Sequence, residues 1–283
     1  MVINTKDELK RFIKNAHKEQ KTIGFVPTMG FLHKGHLSLV KKAKEENQLV
    51  VVSIFVNPTQ FGPTEDFETY PRDIQTDTRL AMEAGADVIF NPSTEEMYVP
   101  GSSTWVEVEG DITSVLCGAS RPTHFRGVTT VVNMLFNIVE PDKAYFGQKD
   151  AQQAAVLTKM VQDLHMNVEI VVCPIVREED GVALSSRNIY LNKEEREQAA
   201  VLNRSLQLVQ EAYWKGEKSV EVLTELIVKN INQMPLAEID YVNIYAYPSL
   251  KTIAKVEEKA IAAVAVKFGK TRLIDNIILE KRK

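Results

Sequence analysis

The stretch PTMGFLHKGH at residues 27–36 constrains the fold of this chain more than any other feature. A short apolar run at residues 23–26 precedes it and predicts a buried strand, while Pro27 and Gly30 predict that a loop follows. A helical pattern then extends from about residue 35 to residue 46. The order strand, glycine-containing loop, helix brings unpaired backbone N–H groups and the positive end of a helix dipole together, and this combination suits a phosphate group.

Two histidines, His33 and His36, lie where this loop meets the helix. Their spacing of three puts them near one face of the helix, and two imidazoles could stabilise the charge of a phosphoryl or nucleotidyl transfer. The spacing alone also allows two incidental loop histidines, or half of a metal site that would need a third ligand. A Walker loop is excluded, because His36 and Leu37 occupy the positions of its Lys and Ser/Thr, and no G-x-G-x-x-G follows a strand.

The hydrophobic pattern divides the chain into two parts. The β-branched run at residues 49–56 predicts a parallel strand buried on both faces, and strands and helices alternate up to about residue 176. From residue 192 onward, two helices are followed by three strand-like runs, at residues 239–245, 260–266 and 273–279. We therefore expect an α/β protein: a Rossmann-like parallel-sheet domain at residues 1–176 and a smaller α+β domain with an antiparallel sheet at residues 177–283.

Some local patterns give narrower expectations. Thr5 and Glu8 have the spacing of a capping box at the start of a first helix. Residues 104–108 alternate between apolar and polar and predict an outer strand, and residues 128–139 predict a deeply buried helix.

Composition limits the classes of partner. The chain has 283 residues, of which 44% are hydrophobic and 25% charged, as in soluble globular proteins. Its net charge of −4 argues against a nucleic-acid partner, and no apolar run approaches the ~20 residues of a membrane span. The two cysteines, Cys117 and Cys173, are far apart, and the N-terminus resembles no signal peptide. We expect a cytoplasmic protein without a nucleic-acid or membrane partner.

Three further polar segments are candidates for ligand binding. Asn57 and Gln60 follow the strand at residues 49–56, and their amides suit a small polyol acid, although a plain turn is favoured on the pattern alone. Lys149 follows a glycine just before a helix, which is a second candidate phosphate site, although an isolated lysine is more often a solvated charge. The run Ser185, Ser186 and Arg187 suits phosphate oxygens, but three such residues are a weak signal.

The stretch at residues 27–36 resembles, without a gap, the signature P-T-M-G-x-L-H-x-G-H of the pantothenate synthetases (pantoate–β-alanine ligases), which are nucleotidyltransferases with a HIGH-type motif. Five further segments are similar to that family in the same order: FVNPTQF at 55–61, YPR at 70–72, RPTHFRG at 121–127, FGQKDAQQ at 146–153 and LSSRN at 184–188. The resemblance runs over almost the full chain. It departs at Gln148, where the family more often has Glu, and at Thr59, where Met is common.

The resemblance implies an ATP-dependent condensation of pantoate with β-alanine. Pantoate and ATP would form pantoyl-adenylate and pyrophosphate, and β-alanine would then displace AMP to give pantothenate. ATP would be a substrate accompanied by Mg²⁺, the smaller domain would be a lid that excludes water, and the protein would be a homodimer.

The resemblance also assigns roles to individual residues. The catalytic residues would be His36, His33 and Lys149, all acting on the phosphates. The family names the residue at His36 as a proton donor, but adenylation by a carboxylate needs no proton, so we expect electrostatic stabilisation. The ATP contacts would be Met29, Gly30, Phe31, Leu32, His33, Lys34, Gly35, His36, Gly147, Gln148, Lys149, Asp150, Val176, Leu184, Ser185, Ser186 and Arg187.

The resemblance also implies which residues bind the acid substrate. Gln60, Gln153 and Asn57 would bind pantoate, and Gln60 would also lie near β-alanine. Tyr70, Arg121 and His124 would line the site without an assigned role. The chain has no metal-binding motif, so Mg²⁺ would enter with ATP, and Asp150 would lie near either the ribose or Mg²⁺.

Three other functions compete with this one. A nucleotidyltransferase that stops after the first step would not need the segments around Gln60, Gln153 and Arg121. A non-enzymatic nucleotide-binding regulator should lack Lys149 or the histidine pair. A metal hydrolase would need a third ligand beside the histidines.

Overall fold

The computed structural model describes residues 1–63 and 65–282. The chain forms two compact units. Unit 1 comprises Met1–Glu109, Arg121–Gly147 and Val156–Pro174. Unit 2 comprises Gly110–Ser120, Gln148–Ala155 and the chain from Ile175 onward. The domain border at residue 176 stays a prediction.

Unit 1 is built on a six-stranded, all-parallel sheet in the order β1-β4-β3-β2-β5-β6. Its strands are β1 (Val2–Ile3), β2 (Ile23–Thr28), β3 (Leu49–Ile54), β4 (Val88–Phe90), β5 (Lys143–Gly147) and β6 (Glu169–Cys173). All six residues of β3 are buried, as expected for a β-branched strand covered on both faces. The predicted parallel sheet is confirmed.

Unit 2 contains a three-stranded antiparallel sheet in the order β7-β8-β9. The strands are β7 (Ala237–Ala246), β8 (Ala260–Phe268) and β9 (Thr271–Leu279). Leu206, Val209 and Tyr213 from one helix and Leu223 and Ile227 from the next lie in the same hydrophobic core as the sheet. The predicted α+β arrangement is confirmed.

The helices complete both units. They are α1 (Lys6–Lys18), α2 (Lys34–Glu46), α3 (Ile74–Glu83), α4 (Thr94–Met97), α5 (Asp111–Ser114), α6 (Cys117–Ser120), α7 (His124–Val139), α8 (Ala151–Asp163), α9 (Lys193–Ala199), α10 (Val201–Trp214) and α11 (Val220–Ile231). Short 3₁₀ helices occur at Pro58–Gln60, Gln148–Asp150 and Ser186–Tyr190. In the part of the chain that the structure describes, no helix is long and apolar enough to cross a membrane.

Several local predictions need correction. Pro27 does not end β2, which continues to Thr28 in parallel register with β3. Residues 104–108, all described, form no strand, because the hydroxyls of Thr129 and Thr130 on α7 bond the backbone of Val106 instead. The capping box at Thr5 is wrong: in the described chain its side chain makes no capping bond, and Glu96 accepts the N–H of Lys6.

The sheet of unit 1 determines where functional loops can lie. Strands β2 and β3 are parallel: Ile23 pairs with Leu49 at their start, and Thr28 pairs with Ile54 at their end. Both strands therefore end at the same edge of the sheet. Strand β5 pairs with β2 in the same direction and ends at Gly147. The loops that leave these carboxyl ends lie at the usual ligand-binding edge of an open parallel sheet.

Candidate active site

The two histidines cap the N-terminus of α2. His33 is the N-cap residue, and its Nδ1 accepts a hydrogen bond from the N–H of Gly35 at 3.2 Å. In return, the N–H of His33 donates to Nδ1 of His36 at 3.3 Å. The spacing of three is therefore that of a capping box, a role usually filled by Ser or Thr with Glu or Gln. The two rings lie 4.0 Å apart between centroids.

This capping box determines which ring nitrogen carries the proton. Because both Nδ1 atoms accept backbone N–H groups, each neutral imidazole carries its proton on Nε2. Each ring is thereby set up as an Nε2–H donor at the positive end of the α2 dipole. Such donors are suited to the oxygens of a phosphate group, especially as negative charge increases on them.

The loop between β2 and α2 has an unusual backbone, which Asp77 of α3 stabilises. Gly30 and Phe31 both have positive φ, at 87° and 51°. The N–H groups of Phe31 and Leu32 each donate to the Asp77 carboxylate at 2.7 Å. Asp77 is only 2% exposed, and this burial raises its pKa even though the two N–H bonds oppose the shift. Asp77 was not predicted from the sequence, although a charged residue one turn before the buried Ala81, on the same face of α3, is a signal that could have found it.

Asn57 is the centre of a hydrogen-bond cluster that follows β3. Its Nδ2 donates to Oε1 of Gln60 at 3.1 Å and to the carbonyl of Gly127 at 3.2 Å. Its Oδ1 accepts from the hydroxyls of Tyr98 at 2.8 Å and Thr59 at 3.0 Å. The side chain is fully buried, so all its hydrogen-bonding groups are used within the protein.

Gln60 connects this cluster with the loop between β2 and α2, called the histidine loop below. Its Nε2 donates to Sδ of Met29 at 3.1 Å. Its backbone carbonyl accepts from Nδ1 of His124 at 2.9 Å and from Arg121 at 3.2 Å. The structure therefore brings together two predicted groups that are 31 residues apart: Met29, in the loop predicted to bind ATP, and Gln60, predicted to bind pantoate.

The remaining predicted ligand contacts form a second group, and all but one of them lie in unit 2. The exception is Gly147, the last residue of β5 in unit 1. Gln148, Lys149 and Asp150 form a 3₁₀ helix, and Gln153 lies one turn further on in α8. The Nδ2 of Asn276 on β9 donates to the carbonyls of Gln148 at 2.9 Å and Lys149 at 3.0 Å. Asn276 could not be predicted from the sequence, since no local pattern relates positions 128 residues apart.

The serine segment also folds against a predicted neighbour. The N–H of Leu184 donates to the carbonyl of Val176 at 3.0 Å, which places these two predicted ATP contacts side by side. Ser185 caps the 3₁₀ helix that contains Ser186 and Arg187, its hydroxyl accepting from the N–H of Arg187 at 3.3 Å. Lys149 and Ser185 line one small cavity within unit 2.

In the part of the chain that the structure describes, the side chains that could bind a metal are dispersed. Among residues 1–63 and 65–282, no three His, Cys, Asp or Glu side chains are arranged to hold an ion. The histidine pair instead has its Nδ1 atoms in backbone hydrogen bonds.

A parallel α/β sheet that carries a histidine-capped helix N-terminus at its carboxyl edge defines the class, a Rossmann-like nucleotide-dependent enzyme. The family model described as pantoate-beta-alanine ligase matches residues 1–278. The chain therefore belongs to the pantoate–β-alanine ligase family, and its predicted enzyme class, a ligase, is confirmed.

Individual relatives agree over nearly the whole length. A pantothenate synthetase from Pelotomaculum thermopropionicum is 55% identical over 279 residues, which cover 99% of each chain. The crystal structure of the pantothenate synthetase from Thermus thermophilus has a TM-score of 0.94 at 45% identity and 99% coverage of both chains. A pantoate-beta-alanine ligase from Francisella tularensis, complexed with beta-gamma ATP and beta-alanine, has a TM-score of 0.81 at 36% identity, covering 100% of this chain and 98% of its own.

Proposed function

We propose that this ligase forms pantothenate through a pantoyl-adenylate. A carboxylate oxygen of pantoate attacks the α-phosphorus of ATP, and the bond to pyrophosphate breaks. The amine of β-alanine then attacks the acyl carbon, AMP leaves with the shared oxygen, and the amine loses a proton. ATP and β-alanine as substrates are supported by the complex of the Francisella relative with both kinds of ligand.

The hydrogen bond between Gln60 and Met29 is the observation that carries this proposal. It places the amide expected to hold pantoate against the loop expected to hold the phosphates, at 3.1 Å. An acid bound beside Gln60 would lie next to the histidine loop, which is expected to bind the phosphates of ATP. Holding two reactants in an attack geometry can lower a barrier by ~7–11 kcal/mol.

The histidines supply the electrostatic part of the mechanism. Negative charge increases on the phosphate oxygens as the carboxylate attacks, and the Nε2–H groups of His33 and His36 are donors for that charge. Their Nδ1 atoms are held by the backbone, so they need little reorganisation when the charge develops. Neither histidine has to transfer a proton.

The other predicted residues take supporting roles in this scheme. The complete use of the Asn57 amide within the protein favours a role in orienting Gln60 over direct contact with pantoate. Lys149 would bind phosphate oxygens, and Gln153 would bind pantoate. The other ATP contacts assigned by family resemblance are proposals of the same kind.

Mg²⁺ would arrive with ATP and neutralise part of the charge of its phosphates. The exposed carboxylate of Asp150 offers the hard oxygen donor that Mg²⁺ prefers. A homodimer and a cytoplasmic location remain predictions.

Labelling with oxygen-18 tests the proposed intermediate. Pantoate labelled in both carboxylate oxygens should transfer one labelled oxygen to AMP and keep the other in the amide of pantothenate. Mass spectrometry of the products measures this. Formation of ADP and labelled inorganic phosphate would instead indicate an acyl phosphate and would contradict the proposal.

A further inference from the structure

We propose that Asp77 is a positioning residue, which holds the loop at Gly30–Leu32 so that the capped histidines keep their orientation. Asp77 lies on α3, 41 positions after His36 in the sequence, and belongs to none of the motifs shared with the family. Its carboxylate receives two consecutive backbone N–H groups, from Phe31 and Leu32, at 2.7 Å each. Both carboxylate oxygens are engaged, one with each N–H group.

The conformation of the loop explains why an acceptor is needed here. Phe31 has a left-handed backbone, with φ of 51°, which is unfavourable for a residue with a side chain. Such a conformation persists where the surroundings determine it, and successive N–H groups that point the same way form an anion-binding concavity. In this protein the anion is the protein's own buried carboxylate.

Gly30 shows how closely the carboxylate and the loop fit. A Cβ atom added at Gly30 would lie 2.8 Å from Oδ2 of Asp77, the oxygen that accepts the Phe31 N–H. Leu32, whose N–H donates to Oδ1, immediately precedes His33, the N-cap of α2. A shift of the loop would therefore move the first residue of the capping box.

Hydrogen exchange of the free protein tests the contact itself. The amides of Phe31 and Leu32 should exchange slowly in the wild type and quickly in Asp77→Asn, whose amide N–H₂ faces one of the two donors. Asp73→Asn is the matched control: Asp73 also accepts a backbone N–H, but from Thr76, and it thereby caps α3 itself. Fast exchange of both amides in the wild type would overturn the proposal without any variant.

A double-mutant cycle tests the positioning role. It is measured on kcat for pantothenate formation, so it does not depend on the identity of the intermediate. Asp77→Asn should lower kcat between about 10- and 100-fold, the effect of misplacing a reacting group by roughly an ångström. In a His36→Ala background, Asp77→Asn should lower kcat by less than about threefold, because Asp77 acts through the histidines. Asp73→Asn should leave kcat within about twofold in both backgrounds.

Two outcomes would contradict this role. Equal losses of kcat in both backgrounds would mean that Asp77 supports the fold generally. Loss of loop protection with an unchanged kcat would mean that the loop position does not matter for the reaction. The role of Asp77 rests on the proposed role of the histidines. Failure to detect an adenylate would refute the proposed intermediate, but it would not change the hydrogen exchange or the kcat values measured for Asp77→Asn. If Asp77→Asn does not fold, Gly30→Ala disturbs the same contact, and Gly85→Ala, also at positive φ, is its control.

Discussion

His33 and His36 each combine a structural bond with a chemical role on opposite ring nitrogens. The Nδ1 atoms complete the capping box of α2, and the Nε2–H groups are the proposed phosphate donors. Their spacing was interpreted as placing both rings on one helix face, and this was enough to find the pair. The capping geometry was missed because histidine is an uncommon capping residue, so the pattern gave no signal for it.

Substitution of His36 can separate the two roles. His36→Ala should leave the fold intact and slow adenylate formation by about 10²–10³, the usual effect of removing one preorganised donor. His36→Gln retains an acceptor at the third helical position, so it should recover the stability of the cap but not the rate. Single-turnover kinetics and urea unfolding measure the two effects. His17→Ala, at a partly exposed position on α1, is the control. Near-normal adenylation in folded His36→Ala would refute the role.

Gln60→Ala tests the acid-binding side of the site. Removal of the amide should weaken pantoate binding more than ATP binding, because the amide is expected to contact the acid. Calorimetric titration with each substrate measures the ratio. Gln75→Ala, at an exposed glutamine of α3, is the matched control. A larger loss for ATP than for pantoate would remove Gln60 from the acid pocket.

At the scale of elements, contacts between segments far apart in sequence position the site. Helix α7 packs against the 3₁₀ helix Pro58–Gln60, and Gly127 permits this approach. A Cβ atom at Gly127 would lie 2.4 Å from the carbonyl oxygen of Thr59 and 2.8 Å from Cα of Gln60. The sequence pattern predicted a helix only from residue 128, whereas α7 already begins at His124 and includes Gly127.

Gly127→Ala should therefore displace the Asn57–Gln60 turn. Since both neighbours are backbone atoms that cannot rotate away, we expect a loss of about 1–3 kcal/mol in the free energy of unfolding. Pantoate affinity should fall with it. Urea unfolding and pantoate titration provide the measurements, with Asn137→Ala on an exposed part of α7 as the control. Wild-type stability together with wild-type affinity would show that the turn does not depend on this packing.

The elements themselves were predictable where burial dominates. Strands such as β3, buried on both faces, have an unambiguous apolar pattern. The strand predicted at residues 104–108 was wrong, because alternation cannot reveal that the Thr129 and Thr130 hydroxyls would take its backbone bonds. The pairing of the two-residue strand β1 with β4 was missed, since two residues have no period.

At the scale of the whole molecule, one charge cluster couples α2 to the sheet. Glu46, the last residue of α2, accepts hydrogen bonds from Lys143 at 3.0 Å and from the hydroxyl of Tyr145 at 2.9 Å, both on β5. Lys42, one turn earlier on α2, lies 2.9 Å from the same carboxylate. Hydrogen bonds from Lys42, Lys143 and Tyr145 lower the pKa of Glu46 from 4.5 to about 2.

This shift predicts how stability depends on pH. Because the pKa of Glu46 is lower in the folded protein than in the unfolded chain, its stabilising contribution is complete above pH 4.5 and is lost as the pH falls to about 2. Glu46→Gln should therefore reduce the decrease in unfolding free energy over this range. Urea unfolding at a series of pH values measures it, with the neighbouring Glu45→Gln as the control. An identical acid dependence in wild type and Glu46→Gln would contradict the prediction.

The two-part architecture was predictable from the order of elements, and the family from six motifs in sequence. What could not be predicted are the contacts that hold the motifs in place: Asp77 with the histidine loop, Gly127 with the Gln60 turn, and Asn276 with Gln148 and Lys149. Each joins segments tens of residues apart. Hydrophobic periodicity indicates which residues are buried, but it does not specify which distant backbone group a buried residue contacts.

The most direct test of the proposed mechanism is pyrophosphate exchange into ATP, measured with Mg²⁺ and without β-alanine, in the presence and absence of pantoate. The two-step mechanism predicts exchange that requires pantoate, since only a reversible pantoyl-adenylate lets labelled pyrophosphate return to ATP. Addition of β-alanine should then release AMP and pantothenate. If a folded sample makes pantothenate but shows no pyrophosphate exchange until β-alanine is added, the result would contradict a pantoyl-adenylate that forms before β-alanine reacts.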